Sequence, residues 1–320
     1  MNKTASRIQF PADHGNHMGS LTEWWYFNGH LVTDSGKSYS YGFCLFRATA
    51  LVYFAHLSLT DEQTQQFVFE RRFYPLFNVK FQKNTANISY DNEQVIEQSD
   101  QGKFRIKGKF KDIDLNLELE MEKRPLLING NGKVNMPEGG ESFYYSLTRL
   151  KTKGMVNREG VSLPVAGISW MDHQWGNFFV RDKGWDWFSL QLEDSTEYNM
   201  YSFRNSSGRL LKQYINTLDK ENNSACYRAM KIARKMRWTN EVTANNYVTD
   251  WELVLPGSSD TFLVTATVKD QEIYAIKGRD YFPSYWEGGC TVTKKTSDGR
   301  IIKGRGFAEH FPYAKVPKEK

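Results

Sequence analysis

Gly167-Ile168-Ser169-Trp170-Met171-Asp172-His173 is echoed by Gly304-Arg305-Gly306-Phe307-Ala308-Glu309-His310. Both read glycine, any residue, small, aromatic, any residue, acid, histidine. Working outward, Tyr144-Tyr145-Ser146 precedes the first copy as Tyr285-Trp286-Glu287 precedes the second. Further back, Trp24-Trp25-Tyr26-Phe27 with Leu31 answers Trp185-Asp186-Trp187-Phe188 with Leu192. Three short matches in one order indicate an internal duplication, and a duplication fixes the architecture before any single residue does. It predicts two related domains, 8–178 and 179–320, with a boundary near 176–184. A binding site is then expected inside one module or at the seam between them.

The local pattern is β. Residues 112–121 alternate without a fault, placing Ile113, Leu115, Leu117, Leu119 and Met121 on one face and polar groups on the other. Phe262, Val264, Ala266 and Val268 repeat the pattern. Turn signals fall at Ser35-Gly36, Asn129-Gly130, Asn131-Gly132, Ser207-Gly208, Pro256-Gly257 and Asp298-Gly299. Tyr39–Phe46 and Trp185–Leu192 are apolar on both faces, as in a strand covered on both sides. The expected class is all-β, two tandem antiparallel barrel or sandwich domains with few short helices. One basic helix is predicted over Ala225–Trp238.

At 320 residues the chain is long enough for two cores. Its 3 cysteines, Cys44, Cys226 and Cys290, are far apart, which excludes a zinc ribbon or a bridged framework. A net charge of +5, with Lys and Arg spread out except over Arg228–Arg237, gives no compelling nucleic-acid footprint. No apolar run reaches the roughly 20 residues of a membrane-spanning helix. A soluble protein without stable membrane insertion is expected, cytoplasmic as written, or periplasmic or secreted if a leader has been removed. Aromatic residues make up 15% of the chain (9 Trp, 17 Tyr, 21 Phe) beside a mean hydropathy of −0.61. Rings concentrated in an otherwise polar chain fit many one-sided strands and a ring-walled cavity for an apolar small molecule.

Phe10-Pro11-Ala12-Asp13-His14-Gly15, Thr22-Glu23-Trp24-Trp25-Tyr26 with Gly29, Tyr144-Tyr145-Ser146, Trp170-Met171-Asp172-His173-Gln174-Trp175-Gly176, and Tyr285-Trp286-Glu287-Gly288 with the closing Gly304–Glu309 run together resemble the AttH-like and carotenoid-hydratase (hydroxyneurosporene synthase) family. The motifs fall in the family's order from about residue 10 to 313. The resemblance implies two lipocalin-like β-domains. Members include hydratases of acyclic carotenoids, and fungal cyclases of the Diels-Alder type look structurally similar. The AttH-like branch also implies an alternative, a non-catalytic lipid carrier or chaperone linked to cell-envelope transport. In the hydratases the His and second Trp of the closing motif are implicated, here His173 and Trp175. A later Tyr and acid are also used. The matching stretch Glu197–Phe203 offers Tyr198 and Tyr201 but no Asp, a departure from the pattern.

Hydrating an isolated double bond needs an acid, a shield for the cation and a base holding water. Read as a strand, 170–175 puts His173 and Trp175 on one face and Trp170, Asp172 and Gln174 on the other. An indole over a cationic carbon is worth roughly 0.5–2 kcal/mol. The acid–base candidates are His173, Asp172 and Glu23. Asp172 and Glu309 hold equivalent places, which points equally to a shared structural duty. Glu23 among Trp24, Trp25 and Tyr26 is expected to have its pKa raised; an Arg47 partner would make it an ordinary ion pair. The ligand wall is expected from Trp175, Trp25, Tyr26, Tyr145, Trp187, Tyr198, Tyr201 and Trp286. Asp13-His14 with His17 lacks the helix and further carboxylate of a strong metal motif, so no metal site is predicted. No nucleophile elbow, P-loop or dinucleotide fingerprint is present, and no cofactor is expected.

Overall fold

The computed structural model describes residues 8–49, 52–91, 93–137, 139–178, 183–274 and 284–311. Two compact units divide the chain, Met1–Phe178 and Phe179–Lys320. Residues 179–182, inside the expected boundary, lie outside the described residues.

Unit 1 is one curled antiparallel sheet forming a near-barrel. At its centre the strand Thr22–Thr33 pairs with Ser38–Thr49 on one side and Val161–Gly176 on the other. Glu141–Arg158 follows, then Ile113–Met121. A register shift between Leu147 and Leu150 bends the long strand, as a bulge does, and lets the sheet curl. Near the sheet's two ends Tyr74 and Tyr90 meet, ring centroids 4.0 Å apart. The interior is continuous from Trp25, Phe27 and Leu31 through Phe43 and Leu57 to Ile113, Leu115, Leu117 and Leu119.

Unit 2 repeats the frame. Lys183–Leu192 lies between Glu197–Asn205 and Ile301–His310, with Tyr285–Lys295 beyond. The duplication holds residue by residue. Trp25 pairs with His173 and Asp186 with His310; Ser146 pairs with Asp172 and Glu287 with Glu309. The glycine that opens each motif has one physical reason. A Cβ at Gly167 would lie 1.9 Å from the carbonyl oxygen of His30, and one at Gly304 2.4 Å from that of Gln191. The neighbouring strand passes too close for any side chain.

The expected helix over Ala225–Trp238 is instead two strands, Ser224–Tyr227 and Lys231–Thr239. Register shifts at Arg234/Met236 and Met236/Arg237 break the two-residue alternation that would have marked a strand. Lys231–Thr239 ends the sheet, and its exposed Lys231, Lys235 and Arg237 suit an edge that must not template another strand. No helix among the described residues is long and apolar enough to cross a membrane.

Candidate functional site

The inner face of unit 1 brings six titratable side chains into one chain of hydrogen bonds. His14 Nδ1 lies 2.6 Å from the Tyr145 hydroxyl, which lies 3.2 Å from His173 Nδ1. His173 Nε2 is 3.1 Å from Glu23 Oε1, and the same oxygen is 2.8 Å from His17 Nδ1. His17 Nε2 ends the chain 3.2 Å from Asp13 Oδ1. Strand pairing explains the assembly. Tyr145, His173 and Trp25 stand directly opposite one another on three neighbouring strands, and Glu23 and Trp175 are likewise opposite, two residues along. The segment before the first strand folds over this face. It is pinned by Trp25 Nε1 donating to the His14 carbonyl (2.9 Å) and by Arg47 donating to the His17 carbonyl (2.7 Å) and Asn16 Oδ1 (3.1 Å).

Charge states follow from counting hydrogens. Burial alone would raise the Glu23 pKa, yet hydrogen bonds from His17 and His173 hold it below the usual carboxylate value. The expected upward shift is therefore overturned. The aromatic neighbours exclude water, but the Arg47 guanidinium lies 3.0 Å away and two imidazoles face the carboxyl. Asp13 is also held low, burial being outweighed by His17 and the Gln9 amide. Two ionised carboxylates only accept, so both ring nitrogens of His17 donate and the ring is an imidazolium. Burial opposes that charge, but Asp13 and Glu23 overcome it and raise its pKa. Burial lowers the pKa of His173, so it is neutral, donating from Nε2 to Glu23 and accepting at Nδ1 from Tyr145. His14, pushed down to about 3 by burial and then by His173, is neutral too and donates to the Tyr145 oxygen.

The chain of groups meets an open cleft of about 570 Å³ lined by His17, Gly19, Ser20, Gly140, Glu141, Phe143, Trp175, Gly176 and Asn177. His17 lies flat on Trp175, while Phe143 stands on the neighbouring strand with ring centroids 5.7 Å from the indole. Met18 and Leu21, both exposed, leave apolar surface on the same segment as His17.

Of the residues expected from sequence, Glu23, His173, Trp25, Tyr145 and Trp175 come together here. Trp175 lines the cleft; Trp25 and Tyr145 are fully buried behind it. Asp172 is not part of the group. It faces the other side of its strand and accepts from Tyr144, from Ser146 (2.5 Å) and from Trp170 Nε1 (2.7 Å). Burial nevertheless lifts its pKa to about 6. Tyr26 sits opposite Asp172, on that same outer face. Trp187, Tyr198, Tyr201 and Trp286 belong to unit 2. Tyr198 accepts from Lys294 Nζ at 2.8 Å, Tyr201 stacks on Tyr214, and Trp286 packs on Trp251.

His17 and Phe143 line the cleft, and sequence reasoning did not place either of them there. His17 was legible only as half of a weak metal motif. His17, Glu23 and His173 do form a grouping whose ligand atoms lie within 4.8 Å of one another. Arg47 already supplies positive charge to Glu23, and the shared oxygen takes a hydrogen from each imidazole, so the arrangement suits protons better than a dication.

Curled antiparallel near-barrels with a titratable interior beside a ring-lined cleft define a lipocalin-like protein with an internal duplication. A family model described as AttH-like matches residues 2–313, and the chain belongs to that family. A protein assigned as AttH from Nitrosomonas europaea has a similar structure, with a TM-score of 0.85 at 22% identity over 98% of this chain and 99% of that one. Kievitone hydratase from Nectria haematococca gives 0.79 at 16% identity over 98% and 96%. CghA with Sch210972 gives 0.62 at 10% identity over 91% and 88%. No functionally curated protein matches the sequence.

Proposed function

We propose that unit 1 binds an uncharged, largely apolar small molecule in the cleft beside Trp175 and His17, and promotes cofactor-independent addition of water to a carbon–carbon double bond, or cyclisation across one. The observation that supports this most is the His17 ring, charged by two flanking carboxylates and lining the cleft. In hydration, His17 gives a proton to one alkene carbon; water attacks the other and returns a proton to the imidazole, so acid and base alternate on one ring. Cyclisation uses the same proton without water. An imidazolium with a raised pKa is a mild acid, which favours a double bond activated by conjugation or an electron-donating ring. Glu23 orients His17, and the His173–Tyr145–His14 line fixes Glu23 from behind. The shared fold with kievitone hydratase is compatible with this chemistry.

A pure carrier needs an apolar pocket without buried ionisable groups, and six line up beside this cleft. The test is mass spectrometry after incubating the protein with prenylated phenols, polyenes and polyketide-like alkenes in water labelled with a heavy isotope of oxygen. Label in the product marks hydration; an isomer of unchanged mass marks cyclisation. Both are expected to vanish in His17→Gln with an unchanged melting temperature. Tight binding with no conversion across the panel would favour carriage instead.

A further inference from the structure

The positive charge of the chain is gathered on one stretch. Residues 209–237 hold 8 Lys and Arg against 2 Asp and Glu, a net +6 in a chain whose total is +5. The fold divides this stretch between the two ends of the unit 2 sheet. Leu210–Leu218 with its short partner Ser224–Tyr227 stands at one end, and Lys231–Thr239 at the other. A side-chain clasp joins them: Gln213 Nε2 donates to the Met230 carbonyl at 2.8 Å, and the Met230 amide donates to Gln213 Oε1 at 3.0 Å. A second tie lies inside the unit. Arg204, in register with Leu210, and Arg234, on the last strand, both pair with the buried Asp186 carboxylate. The two ends of the sheet thus meet along a seam bordered on both sides by basic sequence.

Packing decides which charges face outward. Ile232 and Trp238 pack on the core of unit 2, and Arg234 turns to Asp186. Lys231, Lys235 and Arg237 are exposed, as are Arg209 and Arg228. Lys235 is offset by Glu252 at 3.0 Å, and Lys220 by Glu221 at 3.5 Å. Arg209, Lys212, Arg228, Lys231 and Arg237 form no ion pair among the described residues. Aliphatic side chains stand among these charges, Leu210 being 48% exposed and Met236 52%. The rings of the stretch are not offered in the same way. Tyr214 is buried and Tyr227 and Trp238 are half-buried, so the seam lacks the open aromatic platform on which nucleic-acid bases stack.

We propose that this seam docks unit 2 on an anionic lipid surface. The exposed guanidinium and ammonium groups meet the headgroup phosphates, and Leu210 and Met236 settle among the headgroups. A basic side chain held at such a surface strengthens binding about fivefold, and the attraction fades within a Debye length. The contact is peripheral and stands independently of the chemistry of unit 1.

The test is co-sedimentation of the full chain with vesicles of phosphatidylcholine alone and of an equal mixture of phosphatidylcholine and phosphatidylglycerol. Binding to the mixed vesicles is expected, weakening as salt is added, with none to phosphatidylcholine. Arg228→Gln combined with Lys231→Gln is expected to weaken it roughly tenfold or more. Lys109→Gln combined with Lys111→Gln takes the same charge from exposed positions of unit 1 and leaves binding unchanged. Should the first pair fail to fold, Lys231→Gln alone and Met236→Ser decide, each expected to weaken binding several-fold. Equal binding to both kinds of vesicle, no binding to the mixed vesicles, or an equal loss in the two pairs would overturn the proposal. So would single-stranded RNA or polyglutamate bound more tightly than the mixed vesicles, which would reassign the seam to a nucleic acid or to an acidic protein.

Discussion

The imidazole of His17 lies flat on the indole of Trp175, ring centroids 3.8 Å apart and planes within 4°. A charged ring over an indole face gains roughly 0.5–2 kcal/mol. The stack also means that this face of Trp175 is taken by a protein cation and is not open to a substrate cation.

The stack makes Trp175 a reporter of His17. An imidazolium quenches indole emission, so the difference in fluorescence between the native chain and Trp175→Phe should rise as His17 deprotonates. The folded pKa is raised above the ordinary 6.5, so the stabilisation from this charge is complete below 6.5 and is lost as pH climbs through the higher folded value. The midpoint is expected above 6.5 and should move down in Asp13→Asn. A midpoint at or below 6.5 in the native chain would refute the charged ring.

Glu23→Gln strips a fully buried carboxylate from Arg47, itself 1% exposed. A buried charge left without its partner costs about 3–5 kcal/mol. Asp13→Asn, on a partly exposed residue, should cost about 1 kcal/mol or less. Urea denaturation of the two variants measures the gap, and equal losses would contradict the placement of Glu23 at the centre of the network.

Asp172→Asn is expected to destabilise by about 1–3 kcal/mol, because one amide oxygen cannot serve the donors that two carboxyl oxygens serve. The sign with pH follows from a folded pKa of about 6 against an ordinary 3.8. The native carboxyl stabilises most below 3.8, and that contribution fades as pH rises through 6. The deficit of the variant should therefore be larger in acid than in alkali, with ligand binding in the cleft unaffected. Thermal melts across pH decide it.

Gly167→Ala and Gly304→Ala should each destabilise strongly, by about 1–3 kcal/mol or more, since the new Cβ meets a neighbouring carbonyl. At Gly19, on the cleft, a Cβ meets nothing within 4 Å, and Gly19→Ala should leave the melting temperature in place. Comparable losses at all three would show that close approach is not what the motif glycines provide.

The duplication was readable because its residues are fixed by pairing. Trp25 and Asp186, Tyr145 and Trp286, and Asp172 and Glu309 fall at matched register positions. Strand alternation likewise separated His173 from Asp172 correctly. What alternation could not show is where a loop returns. His17 reaches Glu23 through the turn ahead of the first strand, and no periodic signal links the two. Asp186 was visible as the one acid in Trp185–Phe188, but its arginines come from strands some 20 and 50 residues downstream. The bulged edge strand hid itself for the same local reason, because its extra residues spoil the period.

Arg47 donates at once to Glu23 and to the backbone of the turn that bears His17. Charge and hinge are thus governed by a single side chain. Trimming it would release the turn and admit water to the inner histidines in the same stroke.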